Sequence, residues 1–568
     1  MKPIYHVLWV YLAVFLINKG LCCVFLRLNK GLIKGRIATI PNSNKKFYAF
    51  QQIPYAAPPI GTLRFQPPVP VNAWDNILDT TKNTKICYQI GVNSIEEDED
   101  CLYLNVYTPK LPSTNSNTSL PVMVFFHGGA FAIGDSKYSS YGPEFLVNHD
   151  VVIVTLNYRL GVFGFLSTQD EVIPGNNGLK DQLFALQWVN KNIHLFGGNS
   201  SEITIFGQSA GAASVGYHLV SKKSTGLYRA AIMESSSVLN SFGYQRNAKH
   251  FAHKIASYIN ASVTEESASE EILSVMLHAS STEIDKAADK VASEESYNSA
   301  QLFQGYFFAP VVELDSKNAF LTENMFEILD RGDANNVPVI IGINSEESLS
   351  QNTDVNFLTR LMKLYDNDLK ALVPNNMNIV DENSKEEAGQ LIRELYSGDD
   401  LLQNVPAAGI KYMSDTTFTR PVIKYTLLQS KHSELYFYQF SYDGKLGNIS
   451  VVVDGTERVG HNEELAYLWR IQNEIFDNYD LSLFPESDIT IQNRLVKLWT
   501  NFAKTLNPTP EKIDLFQNII WPQVLEDNDF PYLNINENLQ IKNYPKNDSF
   551  CGWERIYDQY GNRPYDSY

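Results

Sequence analysis

Apolar residues along this chain form short runs that alternate with stretches of helical periodicity. Runs at 122–126, 151–156 and 203–206 are rich in β-branched and aromatic residues and have the length of buried strands. Between the last two, apolar residues recur every three or four positions and predict one apolar helix face: Leu179, Leu183, Leu186, Val189 and Ile193. Because strand and helix alternate, we expect an α/β protein with a large, mainly parallel sheet covered by helices on both faces.

Similar runs continue the pattern towards the C-terminus, at 229–233, 337–342 and 435–440. Residues 245–305 interrupt it with polar sequence rich in Glu, Lys and Ala, which we interpret as a long helical insertion. No low-complexity linker or repeat period divides the chain. We therefore expect a single domain over residues 24–568.

The first 23 residues have the pattern of a secretory signal peptide. Lys2 precedes an apolar run at 7–17, and polar residues follow it. Eleven apolar residues are too few to span a bilayer but match the core of a signal peptide. We expect cleavage near Cys22 or Cys23 and a secreted, extracellular product. The other interpretation is a buried N-terminal helix.

Composition and charge exclude several classes of protein. With 44% hydrophobic and 19% charged residues, the chain is neither disordered nor fibrous. A net charge of −18 repels phosphate backbones and anionic lipid surfaces, so we expect no nucleic-acid partner. The C-terminal segment 562–568 has no hydrophobic tail, and we expect no stable membrane anchor.

Ser209 is the candidate nucleophile. It stands between Gly207 and Gly211 at G-x-S-x-G spacing, after a predicted strand and before a helix-compatible stretch at 212–219. Such a turn exposes the hydroxyl at the end of the sheet, and the glycines let strand and helix backbones approach closely. The pentapeptide alone occurs by chance in about one chain of this length in five. A serine that merely ends a turn is therefore the alternative.

A second glycine motif follows the strand at 122–126. The sequence His127-Gly-Gly at a strand end can direct consecutive backbone N–H groups at one point, as an oxyanion requires. Taken alone, an ordinary glycine turn is the simpler interpretation.

Two later loops supply the residues that a serine nucleophile needs. A base must take the hydroxyl proton, and a carboxylate must orient that base. In doubly wound hydrolases these groups follow successive strands in the order Ser, acid, His. Ser209, Glu347 and His461 have this order, and His461 alone among ten histidines lies in a Gly-His loop after a late strand.

The cysteines and sequons are consistent with an oxidising compartment. Cys87 and Cys101 are most simply a disulfide that closes an acidic loop. No C-x-x-C pair or zinc-type His cluster occurs, so we expect neither a metal nor another cofactor. Five sequons are candidate glycosylation sites: Asn117, Asn199, Asn260, Asn448 and Asn547.

These motifs together resemble the type-B carboxylesterase and cholinesterase family. The resemblance runs from about residue 53 to 553 and is carried by 54–65 (PYAAPPIGTLRF), 99–106 (EDCLYLNV), 127–131 (HGGAF), 178–182 (GLKDQ), 206–211 (FGQSAG), 342–347 (GINSEE), 461–467 (HNEELAY) and 499–504 (WTNFAK). It implies an α/β-hydrolase fold and a serine esterase that acts on a small-molecule ester. The sequence leaves monomer and homodimer both open.

The resemblance also implies roles for individual residues. Ser209 would attack the ester carbonyl, His461 would act as base and then acid, and Glu347 rather than Glu346 would orient the imidazole. The oxyanion hole would consist of the N–H groups of Gly128, Gly129 and Ala210. The Cys87–Cys101 disulfide and two structural ion pairs, Arg64–Glu99 and Arg159–Asp181, belong to the same family pattern.

Departures from the family pattern narrow the range of expected substrates. Cholinesterases carry a tryptophan between their first two cysteines and a glutamate before the serine, whereas 88–100 lacks tryptophan and residue 208 is Gln. The Gln208 motif is similar to insect juvenile-hormone esterases and related insect carboxylesterases, so we expect a hydrophobic ester. Cys551 matches a C-terminal cysteine of the cholinesterases, but Arg420 replaces its partner.

A catalytically silent adhesion protein of the neuroligin kind is the alternative from another class. Such proteins usually lose the serine or gain a membrane span. This chain retains Ser209 and shows no such span, so the sequence favours an enzyme.

Overall fold

The computed structural model describes residues 23–41, 43–113, 119–298, 308–350, 355–447, 451–472, 476–526 and 529–568. The predicted signal peptide, apart from Cys23, lies outside these residues, as do the sequon residues Asn117 and Asn448. Cys23 is the first residue of the first strand.

The strands of the described residues form one thirteen-stranded sheet. They are β1 Cys23–Leu28, β2 Gly31–Thr39, β3 Lys46–Pro54, β4 Leu78–Asp79, β5 Tyr103–Thr108, β6 Leu120–Phe126, β7 Val152–Leu156, β8 Gly198–Gln208, β9 Ala230–Glu234, β10 Val339–Asn344, β11 Leu435–Phe440, β12 Pro531–Ile535 and β13 Gln540–Asn543. The order across the sheet is β1-β2-β3-β5-β7-β6-β8-β9-β10-β11-β12-β13, with β4 beside β2.

The centre of the sheet is parallel and its two margins are antiparallel. All neighbours from β7 through β6 to β12 pair in parallel. Along the order given above, the pairs from β1 to β7 and the pair β12–β13 run antiparallel, whereas the short β4 pairs in parallel with β2. The expected α/β architecture with a mostly parallel sheet is confirmed, and the carboxyl ends of β6, β8, β10 and β11 meet at one edge.

Fifteen α-helices accompany the sheet in the described residues. They are α1 Glu144–Val147, α2 Gly161–Phe165, α3 Asn177–Asn192, α4 Ala210–Val220, α5 Ala248–Ile259, α6 Ser269–His278, α7 Ser281–Asn298, α8 Met325–Asp330, α9 Val355–Asn367, α10 Glu382–Ser397, α11 Pro406–Ser414, α12 Arg420–Gln429, α13 Leu465–Leu468, α14 Glu486–Thr505 and α15 Asn547–Tyr560. A π-helical turn, Asp415–Thr419, joins α11 to α12. The helices α5 to α7 occupy the predicted insertion.

Both faces of the central part of the sheet are buried, which explains why its central strands are almost continuously apolar. Along β6, Val122 and Val124 belong to one buried cluster, whereas Met123 and Phe125 belong to another. Successive side chains of a strand point to opposite faces, so the two clusters lie on opposite sides of the sheet. Within the ranges described above, no helix combines the length and apolarity needed to cross a bilayer.

Candidate active site

Ser209 lies in a strained turn between β8 and α4. Its backbone has φ 57° and ψ −125°, a conformation that is costly for a residue with a side chain. A Cβ on Gly207 would lie 2.5 Å from Gly211 C, and one on Gly211 would lie 2.0 Å from Phe126 O. Only glycine fits at these two positions because strand and helix backbones touch there. The turn leaves the half-buried serine at the N-terminal end of α4.

The predicted oxyanion residues surround this turn. A Cβ on Gly128 would lie 3.1 Å from Ser209 Cβ and 2.7 Å from Gln208 O, so the glycine backbone packs directly against the serine. Gly129 follows with φ 105°, a region that favours glycine, and Ala210 is the first residue of α4. The structure thus places Gly128 against the serine, with Gly129 next to Gly128 and Ala210 next to Ser209 in the chain, and the role of all three as oxyanion donors stays a prediction.

His127 holds the glycine loop in place rather than taking part in the triad. Its Nδ1 donates to Gly128 O at 2.8 Å, and its ring stacks on Tyr158 with the centroids 4.5 Å apart. The Tyr158 hydroxyl donates to His127 O at 2.8 Å. Burial lowers the pKa of the His127 imidazole below its usual range, although the Gly128 carbonyl and Asp135 oppose this effect. A neutral imidazole therefore braces this loop at neutral pH.

Glu347 and His461 form a buried hydrogen-bonded pair. His461 Nδ1 lies 2.7 Å from Glu347 Oε2, and the His461 backbone N–H donates to Glu347 O at 2.9 Å. Glu347 Oε1 accepts the Asn344 backbone N–H at 2.7 Å, which fixes the carboxylate plane. A carboxylate accepts only, so the imidazole carries its proton on Nδ1 and leaves Nε2 as a base.

The opposite edge of the imidazole reaches the residue before the serine. The side-chain amide of Gln208 donates through Nε2 to His461 Nε2 at 3.2 Å. An amide NH₂ group only donates, so this contact requires an unprotonated Nε2 and agrees with the tautomer that Glu347 imposes. The basic nitrogen of His461 therefore lies at the turn that carries Ser209.

Phe418 is a site residue that sequence reasoning missed. Its buried ring packs on the His461 imidazole, with ring centroids 4.2 Å apart at an angle of 32°. Phe418 lies in the π-helical turn Asp415–Thr419, and π-helical turns often occur at functional sites. No sequence signal marks this contact, because nothing in the local pattern distinguishes a π-helical turn from an ordinary helix.

Several acidic side chains are buried behind the Glu347–His461 pair. Glu464 binds the Asn344 side-chain amide through Oε2, and its Oε1 is buried without a partner. Burial raises the pKa of Glu464 to about 7, with a further increase from the Glu347 charge and an opposing effect of His461. Burial likewise raises the pKa of Glu463 to about 8 and that of Glu234 well above its usual range. Around neutral pH these groups bind protons that the unfolded chain releases.

We expect the raised pKa of Glu464 to make the protein less stable as pH rises. Proton binding by Glu464 contributes to the free energy of unfolding. This contribution is complete below the unfolded pKa near 4.3 and is lost as pH rises past about 7. The change is on the order of 3 kcal/mol. The Glu464→Gln variant should therefore show a shallower fall in Tm than the wild type between pH 5 and 8. Exposed Glu271→Gln is the matched control. Parallel curves for Glu464→Gln and wild type would contradict the assignment.

The pairings that the resemblance implied outside the triad occur in the structure. Cys87 and Cys101 form a disulfide, and Arg64 Nε lies 2.7 Å from Glu99 Oε2. Arg159 binds Asp181 through two contacts of 2.7 Å. The disulfide and the two ion pairs hold together segments that are distant in the sequence.

Cys551 is exposed and forms no disulfide within the described residues. Arg420, which replaces the partner cysteine of the cholinesterases, is buried against aromatic rings.

No group of three His, Cys, Asp or Glu side chains in the described ranges could hold a metal ion. Of the sequon residues that are described, Asn260 and Asn547 are exposed and Asn199 is half-buried.

Comparisons with known proteins agree with this geometry. Residues 23–553 match the model of the carboxylesterase family. The chain is 32% identical over 514 residues to juvenile hormone esterase of Tribolium castaneum, covering 86% of this chain and 84% of that protein. It is 33% identical over 493 residues to esterase FE4 of Myzus persicae, covering 84% and 83%.

Among solved structures, juvenile hormone esterase from Manduca sexta, crystallised with covalently attached OTFP, superposes with a TM-score of 0.81 at 27% identity. That match covers 94% of this chain and 100% of the other. A structure described as PNB esterase superposes with a TM-score of 0.71, also at 27% identity, and covers 94% and 99%.

Proposed function

The chain belongs to the carboxylesterase family and is a carboxylic ester hydrolase, and we propose that it works through an acyl-enzyme formed on Ser209. The observation that supports this mechanism best is the 2.7 Å bond between Glu347 and His461, whose free ring nitrogen reaches the Ser209 turn. None of the relatives described above is named an adhesion protein, so the alternative of a catalytically silent adhesion protein gains no support.

In this mechanism Ser209 Oγ attacks the ester carbonyl while His461 Nε2 takes its proton. Glu347 stabilises the resulting imidazolium. The negative oxygen of the tetrahedral intermediate is bound by the N–H groups of Gly128, Gly129 and Ala210. The alcohol then leaves with the proton from His461, and water, activated by the same imidazole, releases the acid and regenerates the serine.

We propose hydrophobic esters as substrates, either juvenile-hormone-type esters or the broader range of a general insect carboxylesterase. Two relatives of similar identity, from Tribolium castaneum and Heliothis virescens, are named juvenile hormone esterases. The segment between Cys87 and Cys101 offers no tryptophan for a quaternary ammonium, and its first aromatic residue, Tyr88, packs against Phe163 at a centroid distance of 5.4 Å.

A substrate panel tests this proposal. We expect kcat/KM for juvenile hormone or for a short p-nitrophenyl ester to exceed that for a choline ester of equal acyl length by about 100-fold or more. The reason is that the segment 88–100 offers no tryptophan to compensate the desolvation of the ammonium group. Two esters of the same acid, one with a neutral alcohol and one with a cationic alcohol, serve as the control pair. A choline ester that ranks first would contradict the proposal.

Secretion and glycosylation belong to the same proposal. The Cys87–Cys101 disulfide fits an oxidising compartment, and the apolar run at 7–17 supplies the matching export signal. Exposed Asn260 and Asn547 are the described sequon residues best placed to accept a glycan.

A further inference from the structure

Arg420 is the one buried arginine of the described chain whose guanidinium has no polar partner. The residue is only 1% exposed, and its Nε and Nη1 atoms are buried without a hydrogen-bond acceptor. The other buried arginines of the described chain each have a polar partner: Arg159 binds Asp181 at 2.7 Å, and Arg494 donates to Leu515 O at 2.7 Å. A buried, unpaired charge is strongly unfavourable, so the surroundings of Arg420 must compensate it in another way.

Aromatic rings supply only part of that compensation. The guanidinium lies 4.1 Å from the Trp553 ring centroid, 5.0 Å from that of Tyr557 and 5.3 Å from that of Tyr568. Ring faces attract a cation, but they do not accept the in-plane N–H hydrogen bonds that a guanidinium requires.

The nearby carboxylates are bound by other groups. Asp415 accepts the Tyr396 hydroxyl at 2.7 Å, and Asp566 pairs with Arg246 Nε at 2.7 Å. No carboxylate of the described residues lies within 4.0 Å of the Arg420 guanidinium. Within the described residues the Arg420 charge therefore has no contact ion pair, and the buried Asp415 carboxylate attracts it only from beyond that distance.

Arg420 lines a cavity whose remaining lining also favours an anion. The lining includes Asn376 and Thr416, and none of its residues is acidic; its second arginine, Arg246, is already paired with Asp566. Asn376 Nδ2 is buried without a partner, and its Oδ1 already accepts the Tyr557 hydroxyl at 3.0 Å. The unsatisfied atoms at Arg420 and Asn376 are thus all N–H donors.

We propose that this cavity is a binding site for a small anion of halide size. Arg420 supplies the charge and two N–H donors, and Asn376 supplies a third donor. A halide accepts several N–H hydrogen bonds and neutralises the guanidinium, whereas a water molecule accepts bonds but leaves the charge uncompensated. The almost complete burial of Arg420 restricts the site to small ions and excludes bulky organic anions.

Thermal unfolding of the full-length protein tests the site. Sodium gluconate is replaced stepwise by sodium chloride or bromide at constant ionic strength, so that only the identity of the anion changes. We expect a saturable rise in Tm of about 2 °C or more for the wild type. The Arg420→Met variant should lose this response, and exposed Arg555→Met should keep it. Asn376→Ala should raise the half-saturating halide concentration about tenfold.

Crystals of the wild-type protein soaked in bromide give a direct measurement that does not depend on the folding of a variant. An anomalous peak beside Arg420 together with the saturable Tm rise supports the site. A Tm that is the same in gluconate and halide overturns the proposal. A peak without that response identifies an adventitious ion only and overturns it equally.

Discussion

The Ser209→Ala variant is expected to lose hydrolysis of a short p-nitrophenyl ester, with kcat/KM lowered by about 10⁴- to 10⁶-fold. The reason is that the acyl-enzyme route needs the Ser209 oxygen as nucleophile, and neither Gln208 nor Ala210 beside it in the turn can replace that oxygen. The same variant should not be labelled by a fluorophosphonate, whereas the wild type should carry the adduct on the peptide that contains Ser209.

Ser214→Ala is the matched control for this experiment. Ser214 lies on α4, the helix that follows the Ser209 turn, is buried, and donates to Ala210 O at 2.9 Å. Loss of its hydroxyl removes two structural hydrogen bonds, the second of them accepted from Gln182 Nε2, but no reacting atom, so we expect kcat/KM within about tenfold of wild type. Retained turnover in correctly folded Ser209→Ala would show that another residue is the nucleophile.

The Glu347→Gln variant should lower kcat/KM by about 10⁴-fold while leaving the fold intact. The Asn344 backbone N–H donates to Glu347 Oε1 at 2.7 Å, so the amide of a glutamine must place its oxygen there. Its NH₂ group then faces His461 Nδ1, which must become an acceptor. The proton moves to Nε2, and the nitrogen that should take the serine proton already carries one.

Glu346→Gln provides a matched control at the neighbouring position. Glu346 is equally buried, but its oxygens accept from Ser414 Oγ at 2.8 Å and from the Glu457 backbone N–H at 3.2 Å, away from the imidazole. We expect its kcat/KM to stay within about tenfold of wild type, measured on the same ester. Equal losses of kcat/KM in the two variants would contradict the assignment of Glu347 as the carboxylate that orients His461.

The structure and sequence agree where short-range chemistry decides the outcome. The strand, turn and helix around Ser209 follow from β-branched residues and two glycines within a few positions. The buried central strands follow from apolar runs, because both faces of a parallel sheet need cover. The surroundings of Phe418, Glu464 and Arg420 could not be predicted, because each of these residues acts through partners far away in the chain.

What the amino-acid sequence determines by itself is therefore the central strands, the family and the identity of the candidate triad. Local backbone preferences and the periodicity of apolar residues depend only on residues that are close in the sequence. Tertiary structure alone decides that His461 Nε2 meets Gln208, that Glu464 is buried beside Glu347, and that Arg420 Nε and Nη1 have no hydrogen-bond acceptor. The physical reason is that hydrogen-bond geometry and desolvation depend on which distant side chains share a volume from which water is excluded.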